Sequence, residues 1–193
     1  MMDLSRVAGI EAVVVGASAG GIEVLSALLP EMRAAGKSPV VVVVHLPRTG
    51  RSLLASLFAA KCARVVREAE DKLPLEAGVI YFAPPDYHVL CDEGPCIRLS
   101  YDDPVNWSRP SIDVLFESAA DLFGERLMGV LLTGSNQDGA RGIDAIRRGK
   151  GFTVVQDPEE AEASTMPREA LKLGPADLVL GIEQMKALFR AVP

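Results

Sequence analysis

The sequence predicts an α/β fold: a doubly wound, mostly parallel sheet with helices on both faces and one antiparallel hairpin. Three observations predict it. Short runs of β-branched residues recur along the chain, too continuously apolar for half-exposed strands. Segments with apolar residues at helical spacing lie between those runs. One pair of short segments is instead joined by a tight Gly-Pro turn, the pattern of a hairpin rather than a crossover.

In order, residues 11–16 read as the first buried strand. Ile22, Leu25, Leu28, Leu29 and Met32 follow at helical spacing, with Pro30 bending that helix and Gly36 stopping it. The valine run Val40–Val44 belongs to the middle of a parallel sheet. Residues 52–61 return to a helical pattern, and 79–82 form another strand. Residues 87–91 and 96–99 flank Glu93-Gly94-Pro95 as a hairpin, which suits Cys91 and Cys96 to facing positions. Ser111 is a good N-cap for a helix running through Leu122, with Pro110 before it and Asp113 in its first turn. Residues 128–133 are a third buried strand, closed by a polar glycine-rich loop, and a helix follows at Ala140–Arg148. Residues 152–155 and 177–180 are further strands, separated by a helix that Pro167 initiates, and 182–192 is the last helix.

A length of 193 residues suits one domain with a sizeable core. No apolar run approaches the ~20 residues of a membrane span, and Met1-Met2-Asp3-Leu4-Ser5-Arg6 has no signal-peptide pattern. The expectation is a soluble, cytoplasmic protein that is not membrane-embedded. A net charge of −6 argues against nucleic acid, which selects a basic face. Cys62, Cys91 and Cys96 form no metal-like pair, so reduced thiols are expected, with neither metal nor cofactor.

In open parallel sheets, ligands bind outside the carboxyl ends of the strands. Ser18 follows the first strand in Gly16-Ala17-Ser18-Ala19-Gly20, which fits the G-x-S-x-G nucleophile turn. His45 follows the valine strand, and Asp138 lies in the loop after the third strand. A serine, an imidazole and a carboxylate on one sheet edge can serve as nucleophile, general base and orienting acid. Each also has a plain reading: a phosphate-cradling or turn serine, a strand-end histidine bonded to backbone, and a helix-capping aspartate. The N–H of Ala19 is a natural oxyanion donor, with a second near Ser135. His88 is read as structural, on the hairpin. A nucleotide-binding fold fits poorly, because the first turn lacks G-x-G-x-x-G and no Walker lysine follows.

These segments resemble the catalytic domain of the chemotaxis receptor protein-glutamate methylesterases (CheB-type). Gly16-Ala17-Ser18, His45-Leu46-Pro47 and Leu132-Thr133-Gly134 through Asp138-Gly139-Ala140 are similar to that family's nucleophile, histidine and aspartate segments. Val105-Asn106, the run from Arg109 to Phe116 and Met166-Pro167-Arg168 match further motifs in order. The resemblance implies a catalytic domain over residues 11–193 after an N-terminal extension of 1–10. It implies hydrolysis of glutamate γ-methyl esters on chemoreceptor cytoplasmic helices, with methanol released, and deamidation of receptor glutamines by the same chemistry. Ser18, His45 and Asp138 would form the triad. Arg48 and Arg51 follow His45 in sequence, and the expectation is that they steer the acidic surface around receptor methylation sites, the plain reading being solvated surface arginines. A phosphorylatable receiver domain usually precedes this domain, so a separate receiver is a second expected partner. The sequence departs from the family at Ala19, usually threonine, and at Ser135-Asn136, usually Met-Gly. It departs again at Trp107-Ser108, where basic residues are typical. These changes bear on rate and substrate. They point to two alternatives, a weakly catalytic docking module or a hydrolase of another ester or amide.

Overall fold

The structure is a computed structural model that describes residues 5–45 and 52–193. Its main sheet is parallel throughout. It is built from β1 (Ala12–Ala17), β2 (Val40–Val44), β3 (Val66–Glu68), β4 (Ile80–Phe82), β7 (Leu127–Leu131), β8 (Phe152–Gln156) and β9 (Leu178–Leu180). Their spatial order is β3-β4-β2-β1-β7-β8-β9. The hairpin is β5 (His88–Asp92) with β6 (Cys96–Ser100). The helices are α1 (Gly21–Leu28), α2 (Leu54–Ala59), α3 (Ile112–Phe123), α4 (Ala140–Arg148), α5 (Thr165–Leu173) and α6 (Ile182–Ala191).

Strand β1 explains the layering. Its alternate residues Val13, Val15 and Ala17 join the core under α1, α2 and α6, while Ala12 and Val14 join the core under α3, α4 and α5. Both faces are apolar because both are covered. The chain runs from β1 to β2 on one side, yet β7 pairs with β1 on the other. That reversal is the topological switch point, where the crevice of a doubly wound sheet opens.

Three expectations need correction. Pro30 does not bend a continuing helix: α1 ends at Leu28 and the chain tightens into a 3₁₀ turn at Leu29–Glu31. Helix α5 begins at Thr165 rather than at Pro167, which sits in the first turn where its missing N–H costs nothing. In the hairpin, Cys91 pairs with Ile97 and Asp92 with Cys96, so the two cysteines do not face each other. The three-residue turn offsets the register by one step, and alternation sends the cysteines to opposite faces. All three cysteines are free. Burial, with a smaller contribution from Cys96, pushes the Cys91 thiol up to about 12. A thiol reagent at neutral pH is therefore expected to label Cys96 in the native protein and Cys91 only on unfolding. Equal labelling rates would contradict this placement.

Candidate functional site

The site is assembled at the switch point by ladder geometry. Ala17 pairs with Val44, so Ser18 and His45 are the next register neighbours on adjacent parallel strands. His45 N–H donates to Ala17 O (3.1 Å), and Ser18 N–H donates to Thr133 O at the end of β7 (2.9 Å). Adjacent strands lie about 4.8 Å apart. Alternation places both side chains on the α3 face, since Val14 and Val43 point there.

His45 Nε2 lies 2.8 Å from Asp138 Oδ2. Asp138 is fully buried, and an ionised carboxylate only accepts, so the imidazole carries its proton on Nε2. That leaves Nδ1 with the free lone pair. Ser18 is the register neighbour of His45. Among the described residues Ser18 Oγ has no hydrogen-bond partner. Serine–base bonds are often long in unliganded sites and tighten on substrate.

Asp138 also holds together elements distant in sequence. Its Oδ1 accepts from Ser111 Oγ (2.7 Å), Asn106 Nδ2 (3.0 Å) and Asp113 N–H (3.2 Å), and its Oδ2 accepts from Ile112 N–H (2.6 Å). Ser111 does occupy the N-cap position of α3, but its hydroxyl makes no capping bond there. Asp138 caps α3 instead, from the loop that leads into α4. The reciprocal bond exists too: Asp113 Oδ1 accepts from Gly139 N–H (2.9 Å) and Gly142 N–H (2.8 Å) at the start of α4. Each carboxylate sits at the positive end of the other's helix. Burial alone would raise the Asp138 carboxyl, but bonds from His45, Asn106, Ser111 and Ile112 outweigh it and hold it below its usual value. Burial pushes Asp113 up; the Gly142 amide opposes this and the Asp138 charge adds to it.

Two glycines permit the approach. A Cβ on Gly16 would lie 2.3 Å from Ile112 Cγ2, so glycine lets the first turn of α3 rest on β1. Gly139 has φ +96°, and a Cβ there would meet Leu131 Cδ1 at 2.4 Å and Ile112 Cγ2 at 2.8 Å. Gly139→Ala is expected to cost about 2–4 kcal/mol through backbone strain and overpacking, and to pull Asp138 from His45. Thermal denaturation checks this; an unchanged melting temperature would contradict the packing described.

The nucleophile turn is clamped from β7. Thr133 Oγ1 donates to Ala19 O (2.8 Å), and Thr133 N–H donates to Gln156 Oε1 (2.8 Å). Gly20, in the left-handed conformation at φ +75°, leads into α1. Among the described residues, the N–H groups of Ala19 and Ser135 have no protein acceptor, whereas Gly134 N–H is bonded to Ala163 O. Asn106, Trp107, Asn136, Gln137, Thr165 and Glu169 line a cavity of about 370 Å³ beside this network.

His88 is buried away from the triad: it accepts from Ser111 N–H at Nδ1 (3.1 Å) and reaches Asp103 O through Nε2 (3.1 Å). Arg48 and Arg51 lie outside the described residues. The sequence marks Asn106, Asp113 and Thr133 only as members of motifs or of a helix's first turn; their bonding roles at the site have partners remote in the chain, and no spacing announces them. No cluster of three metal-ligating side chains occurs among the described residues, and no helix among them is long and apolar enough to cross a membrane.

Comparison with known proteins agrees with this architecture. A family model described as CheB methylesterase matches residues 13–189. A Leptospira interrogans protein, provisionally named protein-glutamate methylesterase/protein-glutamine glutaminase, is 40% identical over 179 residues, 93% of each chain. An Agrobacterium fabrum protein-glutamate methylesterase/protein-glutamine glutaminase is 41% identical over 170 residues, 86% of this chain and 48% of the relative. The chain thus spans about half the length of that relative. The crystal structure of the Thermotoga maritima CheB methylesterase catalytic domain superposes with a TM-score of 0.86 at 30% identity, covering 93% of this chain and 98% of that one. The switch-point site and these matches over nearly the whole chain lead to one conclusion: the chain belongs to the CheB methylesterase family.

Proposed function

We propose that this protein is a serine hydrolase that removes γ-methyl esters from glutamate side chains on the cytoplasmic helices of chemoreceptors. The observation that carries the reading is the His45 Nε2–Asp138 bond, with Ser18 the next residue along the strand paired with that of His45 and Nδ1 not engaged by Asp138. Ser18 Oγ attacks the ester carbonyl as His45 Nδ1 takes its proton. The N–H groups of Ala19 and Ser135 receive the developing oxyanion. The tetrahedral intermediate collapses, and methoxide leaves as methanol with the proton from His45. Water then attacks the acyl-serine, His45 again serving as base, and the glutamate carboxylate departs with Ser18 restored. Asp138 stays ionised throughout and holds the imidazole tautomer. A glutamine side chain follows the same course, with ammonia leaving in place of methanol.

In this reading residues 11–193 are the catalytic domain, 1–10 an N-terminal extension, and the compartment the cytoplasm. Arg48 and Arg51 steer an acidic receptor surface, and a separate receiver domain is a regulatory partner. The test is methanol release from a methylated receptor cytoplasmic fragment of the same bacterium, with ammonia release from its glutamine form. Release from the receptor, and not from an unrelated methylated protein, is expected. Faster release from the unrelated protein would move the substrate elsewhere, and absence of release from either would end the enzymatic reading.

A further inference from the structure

We infer that Asn106 is a positioning residue for this site: its side-chain amide joins the buried carboxylates of Asp113 and Asp138 and keeps Asp138 aligned on His45. The inference rests on the proposed function for its kinetic readout only.

Asp113 is 1% exposed and Asp138 0%, and both belong to one capping arrangement. Two like charges so placed repel unless a donor lies between them. Asn106 Nδ2 is 2.8 Å from Asp113 Oδ2 and 3.0 Å from Asp138 Oδ1. An amide nitrogen has two protons, and each carboxylate takes one. The amide oxygen faces the other way, accepting from Gln137 Nε2 at 3.4 Å.

The turn that carries Asn106 is built to aim it. Asn106 and Trp107 both have left-handed backbones (φ 49° and 63°), and Val105 and Ser108 close the turn with mutual N–H to C=O bonds of 3.1 and 2.9 Å. Asparagine tolerates this conformation better than most side chains. Arg109 pins the turn's base, with Nη2 on Asp86 Oδ1 (2.8 Å) and its guanidinium over the Tyr101 ring (3.8 Å).

The other charged groups around the pair do not perform this task. Arg141 Nε reaches Asp113 Oδ2 at 3.3 Å, but from an exposed position it shares with Glu117. Of the two acids His45 bonds Asp138, His88 bonds Ser111 N–H rather than either carboxylate, and Glu169 lines the neighbouring cavity. Asn106 is the neutral donor common to both acids.

Asn106→Gly removes the amide and suits the left-handed backbone. Asn106→Asp keeps the shape while replacing the donor with a third carboxylate. Both are compared with wild type by kcat and KM for ester hydrolysis across pH, by acid unfolding, and by the proton NMR resonance of His45 Nε2–H. For Asn106→Gly, kcat is expected to fall about tenfold to a hundredfold, as for other residues that orient a functional group, with KM changing less than about threefold. The acid-unfolding midpoint should rise, because Asp138 loses a donor to its ionised form and takes up its proton at higher pH. The Nε2–H resonance should move or broaden. Asn106→Asp should shift the unfolding midpoint further, and it carries the same readouts if Asn106→Gly does not fold. A folded variant with unchanged kcat, unfolding midpoint and resonance would overturn the inference. If wild type hydrolyses no ester, the proposed function fails, and the resonance and acid unfolding still decide the role of Asn106.

Discussion

Asp138→Ala is expected to destabilise the protein by about 3–5 kcal/mol and to abolish hydrolysis with it. Five donors converge on this carboxylate: His45 Nε2–H, Asn106 Nδ2–H, Ser111 O–H and the N–H groups of Ile112 and Asp113. Alanine leaves them facing a dry hole, and α3 loses its cap. For a chain of this size the melting temperature should fall by roughly 10 °C. Asp138→Asn separates the two roles. It fills the same volume, but the three donors at the Oδ1 position hold the amide oxygen there and turn the NH2 toward Nε2, so the imidazole proton moves to Nδ1. The base then faces Ser18 already protonated, and kcat should fall about 10⁴-fold. The pH dependence follows from the depressed Asp138 carboxyl. A folded-state value below the unfolded one gives stability that is full above about pH 5 and is lost as pH falls through the folded value. The gap in unfolding free energy between wild type and Asp138→Asn should therefore be widest near neutrality and shrink as pH falls below the unfolded carboxyl's value of about 3.9. A gap independent of pH would contradict the ionised, hydrogen-bonded Asp138 described above.

Ser18→Ala should do the reverse: large for rate, negligible for fold. Ser18 is half-buried at the mouth of the site, and its hydroxyl bonds no other described residue. Its structural work is done by the main chain, through N–H to Thr133 O and through its carbonyl, which accepts from Gly21 N–H at 2.8 Å. Alanine keeps both bonds. Unfolding free energy is expected within about 0.5 kcal/mol of wild type. Methanol release should fall by at least about 10⁴-fold, because the ester loses its attacking atom while the oxyanion donors remain. A variant that is folded and still releases methanol at a tenth of the wild-type rate or more would show that water, not Ser18, attacks the ester.

The parts of the fold legible in sequence were those whose cause is local. Strand β2 is five buried valines, and α4 begins where Gly139 adopts a positive φ, so both appear at their expected bounds. Strand β3 was not legible: three residues at a sheet edge, two of them charged, carry no hydrophobic period. The pairing of Cys91 with Ile97 depends on an odd-length turn, and the spacing of the two cysteines does not encode it. At the site, Ser18, His45 and Asp138 could be placed on one edge because each follows a parallel strand. What the strand-end rule could not supply was the partner of each polar group. The serine at the start of α3 looked like that helix's own cap, yet its hydroxyl goes to Asp138 while Asp138 takes the capping role. Asp113 does lie in the first turn of α3, and its carboxylate also caps α4. Those exchanges arise only once α3 and α4 lie side by side on the sheet.

The most direct measurement of the mechanism is covalent labelling by a fluorophosphonate, which records the nucleophile and its base together. Mass mapping after brief exposure should find one adduct, on the peptide carrying Ser18, with labelling slowed at least about a hundredfold in His45→Ala. An adduct on another residue, or labelling of Ser18 at the wild-type rate without His45, would contradict a serine nucleophile activated by its strand neighbour.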